Sequence, residues 1–389
     1  MAYRLTSACC LLLIALAGCH RGPKKPPTLQ WTGPWERTDL VGAYHSYIRM
    51  DDGRVAYIGN HGETALDVAF TREPGDLLRW TPRKEVMAFE VITDLPDPAD
   101  TKKPAADRFL FLTGPRVAML ASGDFLGLGM ICRGYPAVDG RNYIVSFTGT
   151  AENVNMAKQA MLAGGDPPEE ARWNYAGKVK GPVGEYLEKQ TPFTVYPGGG
   201  GLIHLPDGPA SPDHVRPTRN RFLAFTGYVG SPDPKKDAWL WLVLLYSADG
   251  REWFFAKDST GAIRNLTPGY STKEGYAFPF VLRRADDEWW MWRSGDFQGD
   301  DKALEKDRSL GVDGIFLYYS PDGLNWQFVR REAFQNAVMG KNGKPLGVKN
   351  MSIYYDPKEK RIHGFLSVVN EDGAGWWRKY HNIAKVNRE

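Results

Sequence analysis

The amino-acid sequence predicts an all-β protein built as a β-propeller. Five times, a turn of Asp, Gly, Asn, Lys or Glu residues precedes a short apolar strand that ends in small polar residues, at 52–59, 140–149, 219–227, 287–295 and 360–367. The spacing of these copies is roughly 65 to 90 residues. A repeat of this length with about four strands is typical of propeller blades. We therefore predict five blades, with six as the alternative.

A second hairpin follows four of the copies and ends in tryptophan. Residues 247–253 read Ser-Ala-Asp-Gly-Arg-Glu-Trp and residues 320–326 read Ser-Pro-Asp-Gly-Leu-Asn-Trp, and looser versions end at Trp80 and Trp173. In such a turn the Ser and Asp side chains accept hydrogen bonds from backbone N–H groups, and Gly takes the positive φ. The tryptophans are expected to pack between blades.

Each copy can be interpreted as part of a four-stranded blade. First strands are predicted at 43–49, around 137, and at 201–205, 280–284 and 351–355, and third strands at 66–70, 239–246 and 315–320. The fifth copy lacks an outer strand, which the N-terminal segment 31–37 is predicted to supply. Closure of this kind leaves no free sheet edge.

Two stretches do not follow the four-strand scheme. The first, near 94–129, is predicted to be an insertion in the first blade or a compressed extra blade. The second, near 151–190, begins with a predicted helix at 153–163 that Gly164 and Gly165 would end. Both are assigned to insertions within one propeller domain, 31–389.

The N-terminus predicts a processing signal. Arg4 supplies a positive charge, 11–16 are apolar, and Leu16-Ala17-Gly18-Cys19 resembles the bacterial lipobox, in which the cysteine sulfur receives a diacylglyceryl group. The apolar run is shorter than the about 20 residues of a transmembrane helix. Residues 1–18 are thus a predicted signal peptide and 19–30 a basic, proline-rich tether from a lipidated Cys19. Ordinary secretion after 15–17 is the alternative.

This signal predicts a location in the bacterial cell envelope, anchored through lipid. Because His20 follows Cys19 in place of an inner-membrane retention Asp, the outer membrane is the expected location. The 49 basic and 46 acidic residues are interspersed, so no nucleic-acid partner is expected. We expect a monomer.

The cysteines and histidines predict neither a disulfide nor a metal site. Cys9 and Cys10 would leave with the signal peptide and Cys19 would be acylated, so Cys132 stands alone. His45 and His61 lie near Glu63, but the spacing lacks a metal-ligand pattern. No metal and no cofactor are therefore predicted. The 13 tryptophans suit propeller packing and sugar-binding clefts equally.

The Ser-x-Asp-Gly-x-x-Trp hairpins resemble those of five-bladed glycosidases, namely the arabinanase, β-xylosidase and invertase-like enzymes. The resemblance covers about two thirds of the chain, in pattern and not in extended identity. Sialidase Asp-boxes are similar but carry one more residue between Asp and Gly. Residues 133–138, Arg-Gly-Tyr-Pro-Ala-Val, more faintly resemble the sialidase Arg-Ile-Pro element. The resemblance implies an active site at the propeller axis, where first strands begin and second strands end.

The resemblance also implies a pair of carboxyl groups, which in glycoside hydrolases lie about 5 to 9.5 Å apart. Glu274 is the predicted general acid, because the following 275–279 are similar to the family's Glu-Gly-Pro entry. Asp39 is the predicted base, since the family places an Asp at the entry of the first blade, and Asp296 is the alternative partner. The predicted substrate contacts are Arg133, Tyr44, His45, Tyr135, Tyr276 and Lys349.

Arg133 and Lys349 suit a glycan that carries a carboxylate or sulfate, because basic side chains grip such groups. Equally, either could pair with Glu274 or Asp39. The sequence departs from the family pattern where acidic residues are expected, since Arg133 enters the second copy and Tyr196 with the glycines 198–201 enters the third. The sequence therefore favours glycan hydrolysis at the cell surface. It leaves open a non-catalytic propeller that binds a glycan or envelope partner, and a structural envelope protein with a packed axis.

Overall fold

The computed structural model describes residues 26–42, 45–61, 65–88, 110–133, 142–189, 201–229, 240–267, 279–294, 315–332, 348–368 and 378–387, together with 334, 337–340, 343 and 346. The described chain is predominantly β-strand. In this part of the chain, no helix is long and apolar enough to cross a membrane.

Five antiparallel sheets form the blades of a β-propeller. Strands β1 (Thr28–Trp31) and β2 (Glu36–Val41) precede the first blade. The first blade comprises β3 (His45–Arg49), β4 (Val55–His61), β5 (Ala65–Phe70) and β6 (Lys84–Ala88). The second comprises β7 (Leu110–Met119), β8 (Phe125–Arg133), β9 (Asn142–Gly149) and β10 (Asn174–Lys178).

The remaining blades follow the same order. The third comprises β11 (Leu202–His204), β12 (Phe222–Val229), β13 (Leu240–Ser247) and β14 (Phe254–Phe255). The fourth comprises β15 (Pro279–Ala285), β16 (Glu288–Ser294), β17 (Ile315–Ser320) and β18 (Gln327–Glu332). The fifth contains β19 (Val348–Asp356), β20 (Arg361–Val368) and β21 (Arg378–Asn387). The prediction of five blades is confirmed, and the six-bladed alternative is wrong.

The N-terminal segment closes the ring within the larger unit of the chain, Trp31–Lys385. There β2 pairs with β21, with Glu36 opposite His381, and the Thr38 hydroxyl donates to the carbonyl of Lys379 at 3.1 Å. This confirms the predicted closure by an N-terminal strand. In the smaller unit, formed by 1–30 and 386–389, the Thr28 hydroxyl donates to the carbonyl of Asn387.

The innermost strands are β3, β7, β11, β15 and β19, the first strands of the five blades, and β3 contacts both β7 and β19. Because successive strands are antiparallel, first strands begin and second strands end on one side, which we call the entry face. The turns between first and second strands and between third and fourth strands lie on the opposite side, which we call the turn face.

The tryptophan hairpins on the turn face have the predicted geometry. The Ser247 hydroxyl accepts the N–H of Gly250 at 2.9 Å, and the Asp249 carboxylate accepts two further backbone N–H groups at 2.8 and 2.9 Å. Burial alone would raise the pKa of Asp249, but these hydrogen bonds lower it. Trp253 is fully buried, and its indole N–H donates to Gly250. Residues 320–326 repeat this arrangement.

The predicted helix in the second blade is confirmed as α1 (Ala151–Leu162), and α2 (Gly181–Lys189) follows β10. Helix α1 begins two residues earlier than predicted because Thr150 caps it. The Thr150 hydroxyl accepts the N–H of Asn153 at 3.0 Å, while the Asn153 side chain accepts the N–H of Thr150.

The predicted layout of the second blade needs correction. The stretch near 94–129 was assigned to an insertion or extra blade, but its residues from 110 onward form β7 and most of β8, the two inner strands. The copy at 140–149 is consequently the third strand, β9, and not the second. The sequence pattern does not indicate β7 as one strand, because Gly114 and Pro115 interrupt its apolar residues. They form a bulge between Thr113 and Arg116. The predicted first strand around 137 lies outside the described residues.

Candidate functional site

The structure describes the side chains of two predicted site residues, His45 and Asp39. Arg133 ends β8 and Lys349 lies at the start of β19, both at the entry face. The other predicted residues lie outside the described residues, namely Glu274, Asp296, Tyr44, Tyr135, Tyr276 and the lipidation site Cys19. Their roles stay predictions.

Asp39 lies in β2, at the outer edge of the fifth blade, and its side chain is exposed. Its backbone N–H donates to the carbonyl of Leu78 at 2.9 Å. Strands β20 and β21 separate β2 from the inner strand β19. The structure therefore does not bring Asp39 to the ring of inner strands, and its role as a base stays a prediction.

His45 opens β3 and has no exposed surface. Its Nε2 atom lies 2.6 Å from the Ser352 hydroxyl on β19, and its ring stacks on Tyr57 with ring centroids 4.8 Å apart. His45 thus ties the first blade to the fifth. Such complete burial gives no support to its predicted contact with substrate.

Arg116 on β7 extends this contact to two more blades. Its guanidinium donates to the carbonyl of His45 at 2.7 Å and lies 4.1 Å from the ring centroid of Phe280 on β15. Arg116 and Phe280 are only 5% and 6% exposed. A cation over an aromatic face is stabilised, especially when both groups are desolvated. Arg116, His45 and Phe280 therefore fill the axis at this level.

The space beside Arg116 is small. A cavity of about 30 Å³ lies between the second and third blades, against Leu202 and Thr226. This volume suits about one water molecule. Gly201 lies close to the neighbouring blade, because a Cβ there would lie 3.1 Å from Val281.

The first and fifth blades also contain buried charges. The Asp67 carboxylate, with no exposed surface, is 3.3 Å from the guanidinium of Arg83. Lys379 is also fully buried and donates to the Ser367 hydroxyl. Burial lowers the pKa of Lys379 well below its usual value, and repulsion from Arg116 and Arg83 adds to this.

Replacing Asp67 with asparagine is expected to lower the free energy of unfolding by about 3 kcal/mol, because it leaves the charge of Arg83 uncompensated in the interior. Urea unfolding monitored by tryptophan fluorescence measures this loss. Asp166→Asn is the matched control, since Asp166 pairs with Lys84 at a site where its side chain is 77% exposed. That change should cost less than about 0.5 kcal/mol. Equal effects of the two substitutions would contradict a structural role for the Asp67–Arg83 pair.

The fourth blade positions the part of the chain that follows Glu274 and the part that precedes Asp296. Pro279, at the start of β15, pairs with Arg293, near the end of β16. Glu274 precedes Pro279 by five residues, and Asp296 follows Arg293 by three. Paired residues on antiparallel strands have Cα atoms about 4.5 to 5.5 Å apart. The segments that carry Glu274 and Asp296 thus leave the sheet from neighbouring positions at the entry face.

Several buried or partly buried residues that join parts of the propeller were not predicted from the sequence, chiefly Arg116, Phe280, Asp67, Arg83 and Lys379. A usable signal was a charged residue within an otherwise apolar strand. Asp67 stands in Ala-Leu-Asp-Val-Ala-Phe and Arg116 just before Val-Ala-Met. Charged groups are rarely buried unless they are paired, so such positions indicate an interior polar contact.

Comparison with known proteins identifies the fold. Neither a protein-family model nor a curated protein sequence matches this chain. The chain is similar to the crystal structure of a thermostable family-43 glycoside hydrolase, with a TM-score of 0.52 and 10% identity over 92% of this chain and 96% of the other.

Two further structures show weaker likeness. A xylan β-1,4-xylosidase from Bacillus halodurans has a TM-score of 0.49 and 11% identity, over 90% of this chain and 52% of its own length. An endo-1,5-α-L-arabinanase from Thermotoga petrophila has a TM-score of 0.43 and 13% identity, over 92% and 72%. Likeness at such low identity concerns fold alone. The chain has the five-bladed propeller fold found among glycoside hydrolases, as the hairpin resemblance predicted.

Proposed function

We propose that this protein acts on carbohydrate at the bacterial cell envelope and hydrolyses glycosidic bonds, with Glu274 as general acid and Asp296 as base or nucleophile. The pairing of Pro279 with Arg293 is the observation that carries this proposal. It places the strand that follows Glu274 beside the strand that precedes Asp296, at the entry face. Asp296 is preferred to Asp39, since Asp39 lies on an outer strand with an exposed side chain.

The two carboxyl groups need opposite ionisation states. A general acid must hold its proton near neutral pH, which apolar neighbours favour, and Tyr276 and Phe278 stand beside Glu274 in the sequence. The base must be ionised, which positive charge favours. A separation of about 5 to 5.5 Å would give retention at the anomeric carbon, and one of about 6.5 to 9.5 Å would give inversion.

Hydrolysis is tested directly by incubating the purified chain with neutral glycans (arabinan and xylan) and an acidic one (polygalacturonate). We expect release of reducing ends from at least one of them. Preference for the acidic glycan would support Arg133 and Lys349 as contacts for a carboxylate. Absence of release from every polymer and from aryl glycosides would contradict the proposal.

A non-catalytic glycan-binding propeller is the second candidate function. The packing of Arg116, His45 and Phe280 favours it, because a filled axis leaves less depth for a bound sugar. Binding without release of reducing ends, measured on the same glycans by isothermal titration calorimetry, would identify this function.

We also propose that Cys19 carries a lipid anchor, on the strength of Leu16-Ala17-Gly18-Cys19. Cys19→Ser is expected to move the protein from the membrane fraction to the soluble fraction and to remove the mass of the acyl groups. Fractionation with mass spectrometry measures both, and Cys132→Ser is the control. Retention of Cys19→Ser in the membrane fraction would contradict lipid anchoring at this residue.

A further inference from the structure

A groove of about 550 Å³ opens on the turn face, between the third and fourth blades. The connection from β11 to β12 forms one wall, and the turns at 285–288 and 320–326 form the other. The two walls approach each other closely, because a Cβ on Gly323 would lie 3.2 Å from the Thr218 methyl group. The volume lies in the range of about 300 to 1,000 Å³ that is usual for small-molecule sites. This groove is separate from the site on the entry face.

Some polar side chains of the groove are already committed to the fold. The Asp322 carboxylate accepts the backbone N–H groups of Leu324 and Asn325 at 2.9 and 2.8 Å. Arg283 pairs with Asp286, and its guanidinium lies 5.5 Å from the Trp289 ring centroid. These groups shape the groove and are not available to a ligand without loss of an existing contact.

Two charged side chains of the groove remain available. Asp207 and Arg219 line it from the β11–β12 connection, and both are exposed. Within the described part of the chain, neither side chain forms an ion pair or a hydrogen bond. A carboxylate accepts hydrogen bonds and a guanidinium donates them, so together they complement a ligand that carries several hydroxyl groups.

The charges that line the groove nearly cancel. Two are positive and three are negative, namely Arg219, Arg283, Asp207, Asp286 and Asp322. A polyanion would meet more negative than positive groups, so the groove does not favour a phosphorylated or acidic ligand. Leu205, Pro206 and Pro321 add apolar surface, which small-molecule sites combine with a few polar groups.

We propose that this groove is a second carbohydrate site, which binds a neutral oligosaccharide through Asp207 and Arg219. The choice of carbohydrate as ligand class rests on the proposed function. The site itself needs no catalysis. It would hold a glycan against the turn face while another part of the polymer reaches the entry face.

The test is affinity electrophoresis of the purified protein in gels that contain xylan, arabinan, galactan, β-glucan or polygalacturonate. The Asp207→Ala, Arg219→Ala double variant is compared with Glu185→Ala, Lys189→Ala, which removes an exposed ion pair of α2 and likewise leaves the net charge unchanged. We expect at least one neutral polymer to retard the wild type and the control. The double variant should lose at least about tenfold in affinity for it.

The proposal is overturned if the double variant is retarded like the wild type, if no neutral polymer retards the wild type, or if only polygalacturonate does. Reducing-end release is measured separately on the same proteins. A chain that hydrolyses nothing but loses retardation in the double variant would keep this site and remove the proposed hydrolysis, so the two failures are distinguishable.

Discussion

Glu274→Gln is expected to lower the rate of glycan hydrolysis by at least about 100-fold, because glutamine keeps the shape of the side chain but cannot supply a proton to the leaving group. Asp296→Asn is expected to cause a loss of similar size, since an amide is neither a base nor a nucleophile. Neither change should alter the thermal unfolding midpoint by more than a few degrees. Steady-state rates of reducing-end release measure both effects.

The control for these substitutions is Glu185→Gln on α2, where the carboxylate is 70% exposed. It should leave the rate unchanged. The pH profile adds a second readout, because a general acid sets the alkaline limb of a bell-shaped curve and Glu274→Gln should flatten that limb. Activity of Glu274→Gln within twofold of the wild type would remove this residue from the mechanism.

Acidification from pH 7 to pH 4 is expected to remove several kcal/mol from the free energy of unfolding, because His363 is buried as a neutral ring against the partly buried ring of His381. His363 Nδ1 lies 3.1 Å from His381 Nε2, and the rings stack with centroids 5.3 Å apart. Burial lowers the pKa of His363 to about 4 and that of His381 to about 3. Of the charged groups around them, Asp356 raises the pKa of His363 and Arg361 lowers it. Asp356 also forms an ion pair with Arg49.

The direction of this dependence follows from the unfolded chain, where histidine has a pKa of about 6.5. Below that pH the unfolded state binds more protons than the folded state, so protonation favours unfolding. The stability is complete above about pH 6.5 and decreases as the pH falls toward 4 and then 3. At about 1.4 kcal/mol per pH unit, His363 alone accounts for a loss on the order of 3 kcal/mol.

Urea unfolding at pH 7.0, 5.5 and 4.5 measures this loss. His381→Phe removes one of the two titrating rings and should reduce the decline between pH 7.0 and 4.5. His214→Asn is the comparison variant, because it removes a histidine that lies outside this pair. A decline in His381→Phe equal to that of the wild type would contradict the assignment to this pair.

Much of the fold could be predicted because turn chemistry is local. Asp249 and Gly250 specify their hairpin through side-chain acceptors and a positive φ that lie within a few residues. The same holds for the Thr150 cap of α1. The strands of the second blade were predicted wrongly because Gly114 and Pro115 form a bulge inside β7. In a sequence, these residue types normally indicate a turn between strands.

The candidate site was harder to predict because its contacts join distant parts of the chain. His45 meets Ser352 across 307 positions, and Arg116 meets the carbonyl of His45 across 71. No local pattern encodes such contacts, which arise only when the ring of blades closes. His45 was found because strand starts could be located, whereas Arg116 was missed because the start of its strand was misplaced.

The central claim is that Glu274 and Asp296 act together on a glycosidic bond. A crystal structure of the protein with a bound oligosaccharide would give the distance between their carboxyl groups. We predict a separation of about 5 to 9.5 Å, with the two groups on opposite sides of the scissile bond. A separation well beyond 10 Å, or a carboxyl group held in an ion pair away from the sugar, would contradict hydrolysis by this pair.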